Sequence, residues 1–204
     1  DLSAIRYSHT RVAALDAGHL NDQRVVAHDK SDPTSRSFDL LRTQVLQKME
    51  EKGWRTLGVT SPSPGAGKTV VAINLAISIA QQTQTSAMLV DFDVREPRVS
   101  AYLGLSNDVS FNEVLEGTAS LSDALVNPGM PRLVVLPTAR TVSNPSEALA
   151  SKQVAALVAE LRSRYVSRIV IFDLAPLLGT DDALAVLPQM DCALLVVGEG
   201  MSSK

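Results

Sequence analysis

An α/β fold with a mostly parallel β-sheet and helices on both faces is predicted for this chain from three observations. Strand-like and helix-like segments alternate along most of the sequence, which is the pattern of strands joined through crossover helices. The strand-like segments are short, nearly continuous apolar runs, as expected of strands buried on both faces. Finally, Ser61-Pro62-Ser63-Pro64-Gly65-Ala66-Gly67-Lys68-Thr69 lies between an apolar strand and an amphipathic helix and has the form of a phosphate-binding loop. Together these specify a P-loop NTPase fold.

Residues 1–34 have mixed polarity, scattered charges and no sustained period. They read as an N-terminal extension wrapped over the domain, or as a linker. The nucleotide-binding domain is then residues 35–204. Its first element is an amphipathic helix over Ser35 to Lys52, with Phe38, Leu41, Val45 and Met49 on one face. Strands are readable at Arg55 to Thr60, Ala87 to Asp91, Arg132 to Leu136, Arg168 to Asp173 and Ala193 to Val197. After the loop, Val71, Ile73, Leu75, Ala76 and Ile79 fall at helical spacing. Asn144-Pro145-Ser146-Glu147 offers an N-cap, a first-turn proline and a third-position glutamate, predicting a long helix to about Tyr165.

The loop carries the chemistry. Gly65 and Gly67 lack a side chain, so successive backbone N–H groups can turn onto phosphate oxygens at the start of the following helix. Pro64, Gly65, Ala66, Gly67, Lys68, Thr69 and Val70 are therefore the expected nucleotide contacts. Lys68 supplies a point charge for the outer phosphates, and the Thr69 hydroxyl is a ligand for Mg²⁺. Pro62 stands where the usual GxxxxGK[ST] pattern has its first glycine.

Acidic residues follow two other strands. Met88-Leu89-Val90 runs into Asp91-Phe92-Asp93-Val94-Arg95, and Ile169-Val170-Ile171-Phe172 ends in Asp173, in the form of a Walker B acid. Ligands of open α/β sheets bind at the carboxyl ends of strands. If these strands neighbour the loop strand, the three aspartates surround the magnesium and the γ-phosphate. Asp181 and Asp182 read instead as turn formers or helix caps. Arg95 and Arg98 either contact phosphate or a partner, or stand as solvated loop charges.

Composition excludes other classes. With 204 residues and 45% hydrophobic content, the chain can build one substantial core. A net charge of −3 offers no electrostatic reason to bind nucleic acid. Cys192 is the sole cysteine, so no intramolecular disulfide and no Cys-rich metal site can form, and it reads as a small buried residue. No apolar run reaches the roughly 18 residues of a membrane span. The start at Asp1 shows no signal-peptide pattern, which reads as processing or trimming, and a cytoplasmic protein is expected.

These residues resemble a family. The loop with proline before Gly65, the Met88 to Arg95 block and the Walker B strand are similar to the bacterial tyrosine kinases (BY-kinases) of capsular and exopolysaccharide synthesis. Leu41-Arg42-Thr43, Leu136-Pro137, the stretch Asn144 to Ser151 and the stretch Asp191 to Val197 extend the likeness from about Ser37 to Gly200. The resemblance implies an ATP-dependent protein-tyrosine kinase with ATP/ADP and Mg²⁺ as cofactors. Lys68 and Thr69 would hold phosphate and metal, Asp91 would assist the tyrosine hydroxyl, and Asp93 and Asp173 would hold Mg²⁺ directly or through water. Spacing does not divide the roles of Asp91 and Asp93.

The resemblance also implies a membrane polysaccharide co-polymerase, or its cytoplasmic segment, as partner, a peripheral place at the inner membrane, and self-association. Two departures are evident. The family's Glu-x-x-Arg-x-x-Arg helix motif, linked to ring assembly, falls on Arg36, Asp39 and Arg42, of which only the last agrees. The residues up to Lys204 include only Tyr7, Tyr102 and Tyr165, and the family's tyrosine-rich tail, with a further helix and strand facing the nucleotide base, would normally follow Lys204. A nucleotide-dependent switch or scaffold of the same pathway is the first alternative. Partitioning and division-site ATPases are the second, but their extra lysine falls at Ser63 here.

Overall fold

The computed structural model describes residues 10–106, 108–164 and 167–201. Tyr7, Tyr165 and Lys204, named above, lie outside the described residues. In chain order the strands are β1 (Arg11–Val12), β2 (Thr56–Thr60), β3 (Ser86–Phe92), β4 (Val126–Asn127), β5 (Leu133–Leu136), β6 (Arg168–Leu174) and β7 (Cys192–Leu195). The helices are α1 (Ala17–Asp22), α2 (Ser35–Lys52), α3 (Lys68–Ala80), α4 (Val99–Leu103), α5 (Phe111–Leu115), α6 (Leu121–Ala124), α7 (Pro145–Leu149), α8 (Lys152–Ser163) and α9 (Asp182–Val186), with a short 3₁₀ turn at Leu187–Gln189.

These strands form one sheet in the order β1-β4-β5-β3-β6-β2-β7. Every neighbouring pair is parallel except β4 with β5. The predicted α/β class and each predicted strand are therefore present. The sheet also separates two apolar layers, because successive strand side chains point to opposite faces. Leu89 and Ile171 join one core with α3 and Met49 of α2, whereas Met88, Val90, Val170 and Phe172 join the other with Val154, Leu157, Val158 and Leu161 of α8.

The central strands β2 and β3 are buried at every residue, as their nearly continuous apolar runs predict. By contrast β7, at the edge, alternates between half-buried and exposed residues, and Leu195 is exposed. Helix α3 is apolar nearly all round, a pattern that requires cover on more than one side. One side meets the sheet, and the other meets α2 and a stretch of the N-terminal region in which Leu20, Val25 and Ala27 are buried. Helix α2 ends where Gly53 takes up a left-handed φ of 69°, and the N–H of Trp54 closes back on the carbonyl of Met49.

One predicted element is divided. The helix expected from Asn144 to Tyr165 is two helices, α7 and α8. Asn144 sits in the left-handed region and its side chain caps nothing. Ser151 caps α8 instead, its hydroxyl accepting the N–H of Val154 at 3.2 Å. Polar cap chemistry at Ser151, which had no signal in the apolar pattern, decides the break. Among the described residues no helix is long and apolar enough to cross a membrane.

Candidate nucleotide-binding site

The strand order settles where the acidic residues lie. β6 is the strand between β2 and β3, so Asp173 pairs in register with Val59 on one side and with Asp91 on the other. The loop after β2 therefore faces the ends of both acidic strands. Its own backbone is shaped by Gly65 and Gly67, at φ of 81° and 88°, a region that side chains disfavour. Gly67 leads directly into α3, whose first residues are Lys68 and Thr69. Pro62 fits its position because its carbonyl accepts the N–H of Leu178, and the carbonyl of Ser61 accepts that of Leu177. A proline keeps that acceptor and gives up only a donor.

Lys68 is almost fully buried, with Nζ 2.7 Å from Asp93 Oδ2 and 3.5 Å from Asp173 Oδ1. The Thr69 hydroxyl donates to Asp173 Oδ2 at 2.6 Å. Burial disfavours the ammonium ion, but Asp173 and Asp93 outweigh it and hold the Lys68 pKa above its ordinary value. Asp91 is fully buried behind this group. Its Oδ2 accepts the backbone N–H groups of Arg98 and Val99, at 3.1 and 3.0 Å, while its Oδ1 has no hydrogen-bond partner. Burial, reinforced by the charge of Asp173, pushes the Asp91 pKa well above the carboxylate range. Burial likewise raises Asp173, to about 6, against the pull of Lys68 and Thr69.

In front of these residues lies a cavity of about 420 Å³. All the predicted loop contacts except Ala66 line it, and so does Asp93. Asp91 and Asp173 stand behind the wall. The donors gathered here are a hydroxyl and carboxylate oxygens, the hard oxygen set that suits Mg²⁺. Among the described residues no three His, Cys, Asp or Glu side chains converge to hold an ion by themselves.

Several groups of the site had no clear signal in the sequence. Arg95, left open between phosphate contact and solvated charge, makes a two-pronged ion pair with Asp182, Nε to Oδ2 at 2.7 Å and Nη2 to Oδ1 at 3.1 Å. Asp182 is buried at the start of α9, so its reading as a mere turn former is incomplete. Arg98 pairs with Glu96 on the surface, and Tyr102 and Thr180 complete the cavity wall. The doubled Asp181-Asp182 was the available signal, but its partner lies 87 residues away. Cys192 is half-buried, and burial with the nearby charge of Asp191 lifts its thiol to about 11, which suits a packing role.

A glycine-shaped loop opening a helix, a buried lysine, a first-turn threonine and acids at the ends of two neighbouring parallel strands define a P-loop nucleotide-binding domain. No family model matches the chain. It is 32% identical over 170 residues to the tyrosine-protein kinase YwqD of Bacillus subtilis, covering 83% of this chain and 70% of that one. The chain thus belongs to the bacterial tyrosine-protein kinases. It is also 28% identical to the tyrosine-protein kinase Wzc of Salmonella typhimurium over 85% of its length, although it spans only 24% of that longer protein. The kinase domain of the Escherichia coli tyrosine kinase ETK superposes with a TM-score of 0.81 at 25% identity, covering 95% of this chain and 79% of that one.

Proposed function

We propose that this chain binds ATP with Mg²⁺ at the loop between β2 and α3 and transfers the γ-phosphate to a tyrosine hydroxyl. In this reading it works in capsule or exopolysaccharide synthesis, held at the inner membrane by a polysaccharide co-polymerase or its cytoplasmic segment. The observation that carries it is the convergence of Lys68, Thr69, Asp93 and Asp173 on one spot beside the cavity.

The N–H groups of Gly65 to Val70 bind and orient the phosphates, aided by the start of α3. Lys68, released from Asp93, neutralises charge on the outer phosphates. Thr69, Asp93 and Asp173 would hold Mg²⁺, which when bound stabilises the charge that builds on the transferring group. Asp91, buried behind the cavity wall with its Oδ1 unpartnered, would accept the proton of the tyrosine hydroxyl only once the wall in front of it opens.

The test is transfer of labelled phosphate from ATP to a tyrosine-bearing peptide, with and without the cytoplasmic segment of a co-polymerase. Asp91→Asn and Asp93→Asn are each expected to cut transfer by about a hundredfold or more, while nucleotide affinity changes less than about threefold. Lys68→Met should weaken nucleotide binding itself. Hydrolysis with no tyrosine transfer under any of these conditions would replace the kinase by a nucleotide-dependent switch.

A further inference from the structure

We infer that Asp182 is a positioning residue of the nucleotide site: braced by Ser146, it holds Arg95 at the cavity wall, where the guanidinium meets the terminal phosphate of a nucleoside triphosphate. This rests on the nucleotide reading above and names a group that the loop motif does not contain.

Arg95 and Asp182 are unequal partners. The Asp182 side chain is 1% exposed, whereas that of Arg95 is 47% exposed and lines the cavity. A buried carboxylate without a cation is costly, so Asp182 fixes the arginine rather than the reverse. The single Ser146 hydroxyl proton is shared between Asp181 and Asp182, whose Oδ1 lies 2.9 Å from the hydroxyl oxygen. α7, α9 and the segment after β3 thereby meet at one carboxylate. The two-pronged contact uses two of the five guanidinium N–H groups and sets the plane of the fork. Three donors remain for a ligand.

The charge around the cavity calls for such a group. Lys68 faces three aspartates and is already engaged by two of them. Arg98 is less suited, because its partner Glu96 is 65% exposed and a surface pair of this kind holds a side chain weakly. Arg95 follows Asp93 by two residues, and Asp93 touches the lysine that serves the outer phosphates. A fixed guanidinium at that position would therefore discriminate triphosphate from diphosphate.

The experiment is calorimetric titration of the full chain, with Mg²⁺, using ADP and a non-hydrolysable ATP analogue. In Asp182→Asn the analogue should bind about tenfold more weakly, the equivalent of one charge-assisted hydrogen bond, with ADP changed less than about twofold. Arg95→Ala should show the same selective loss, and the double variant should be no worse than Arg95→Ala alone. Asp182→Glu should recover part of the loss. If Asp182→Asn fails to fold, Ser146→Ala provides a milder change, with a selective loss of about threefold expected. Equal weakening of ADP and the analogue, or losses that multiply in the double variant, would overturn the inference while leaving nucleotide binding intact. A wild-type chain that binds neither nucleotide would remove both the inference and the reading beneath it.

Discussion

Asp91 and Asp173 sit side by side on neighbouring strands, each fully buried, with Lys68 as the cation between them and Asp93. Burial raises the proton affinity of both, and for Asp173 the value is about 6. A carboxyl whose folded pKa lies above its unfolded one binds more protons when folded. Its contribution to stability is present at low pH and lost as pH rises through the folded value. The nucleotide-free protein is thus expected to resist urea better at about pH 5 than at about pH 7.5, with the loss from Asp173 steepest below its folded value of about 6 and levelling off above it, and Asp173→Asn should flatten the profile. Asp39, Asp182 and Asp191 have lowered values, so their contributions fade only below the ordinary carboxylate range and do not oppose the trend in this window. Stability that climbs with pH between 5 and 7.5 would contradict the arrangement.

At the scale of elements, α3 is the piece on which the site depends, and it is secured from outside the phosphate loop. Asn74, fully buried on α3, accepts the N–H groups of Val26 and Ala27 at 2.8 Å each and donates to the carbonyls of Arg24 and Val70. Gln81 adds a bond to the carbonyl of Ala27. A stretch of the N-terminal region is thereby strapped to the helix whose first residues face the cavity. Asn74→Ala would leave buried backbone groups without partners, at a cost of about 3 kcal/mol. The expected result is a lower urea midpoint together with faster hydrogen exchange at Val26 and Ala27. Unchanged protection at those two amides would show that the strap is held by Leu20, Val25 and Ala27 packing alone.

For the whole molecule, α2 bears on association between copies. The positions matching the family's ring motif are turned inward or altered here. Asp39 is engaged by Lys30, by Arg42 at 2.8 Å and by the hydroxyl of Ser78, while Arg36 is exposed. Arg42 also reaches the carbonyl of Ser78. Asp39 and Arg42 thereby tie α2 to α3 instead of facing a neighbour. A monomer or weak dimer is expected by light scattering at micromolar concentration, with or without nucleotide. A ring-sized particle would show that other surfaces drive assembly.

Local chemistry makes much of this legible in the sequence. The glycine spacing of the loop, the nearly continuous apolar runs of β2, β3 and β6, and the amphipathic face of α2 are each written within a dozen or so neighbouring residues, where backbone sterics and side-chain periodicity act. The sequence alone therefore determined the α/β class, the phosphate loop and the acids at strand ends. Only the tertiary structure decided the strand order that sets Asp173 between Val59 and Asp91, and the depth that hides Asp91 while Asp93 lines the cavity. It alone paired Arg95 with Asp182 and strapped residues 24–27 onto Asn74. Those partners are 87 and about 50 residues apart, and their meeting follows from how the helices pack on a sheet whose order no local pattern encodes.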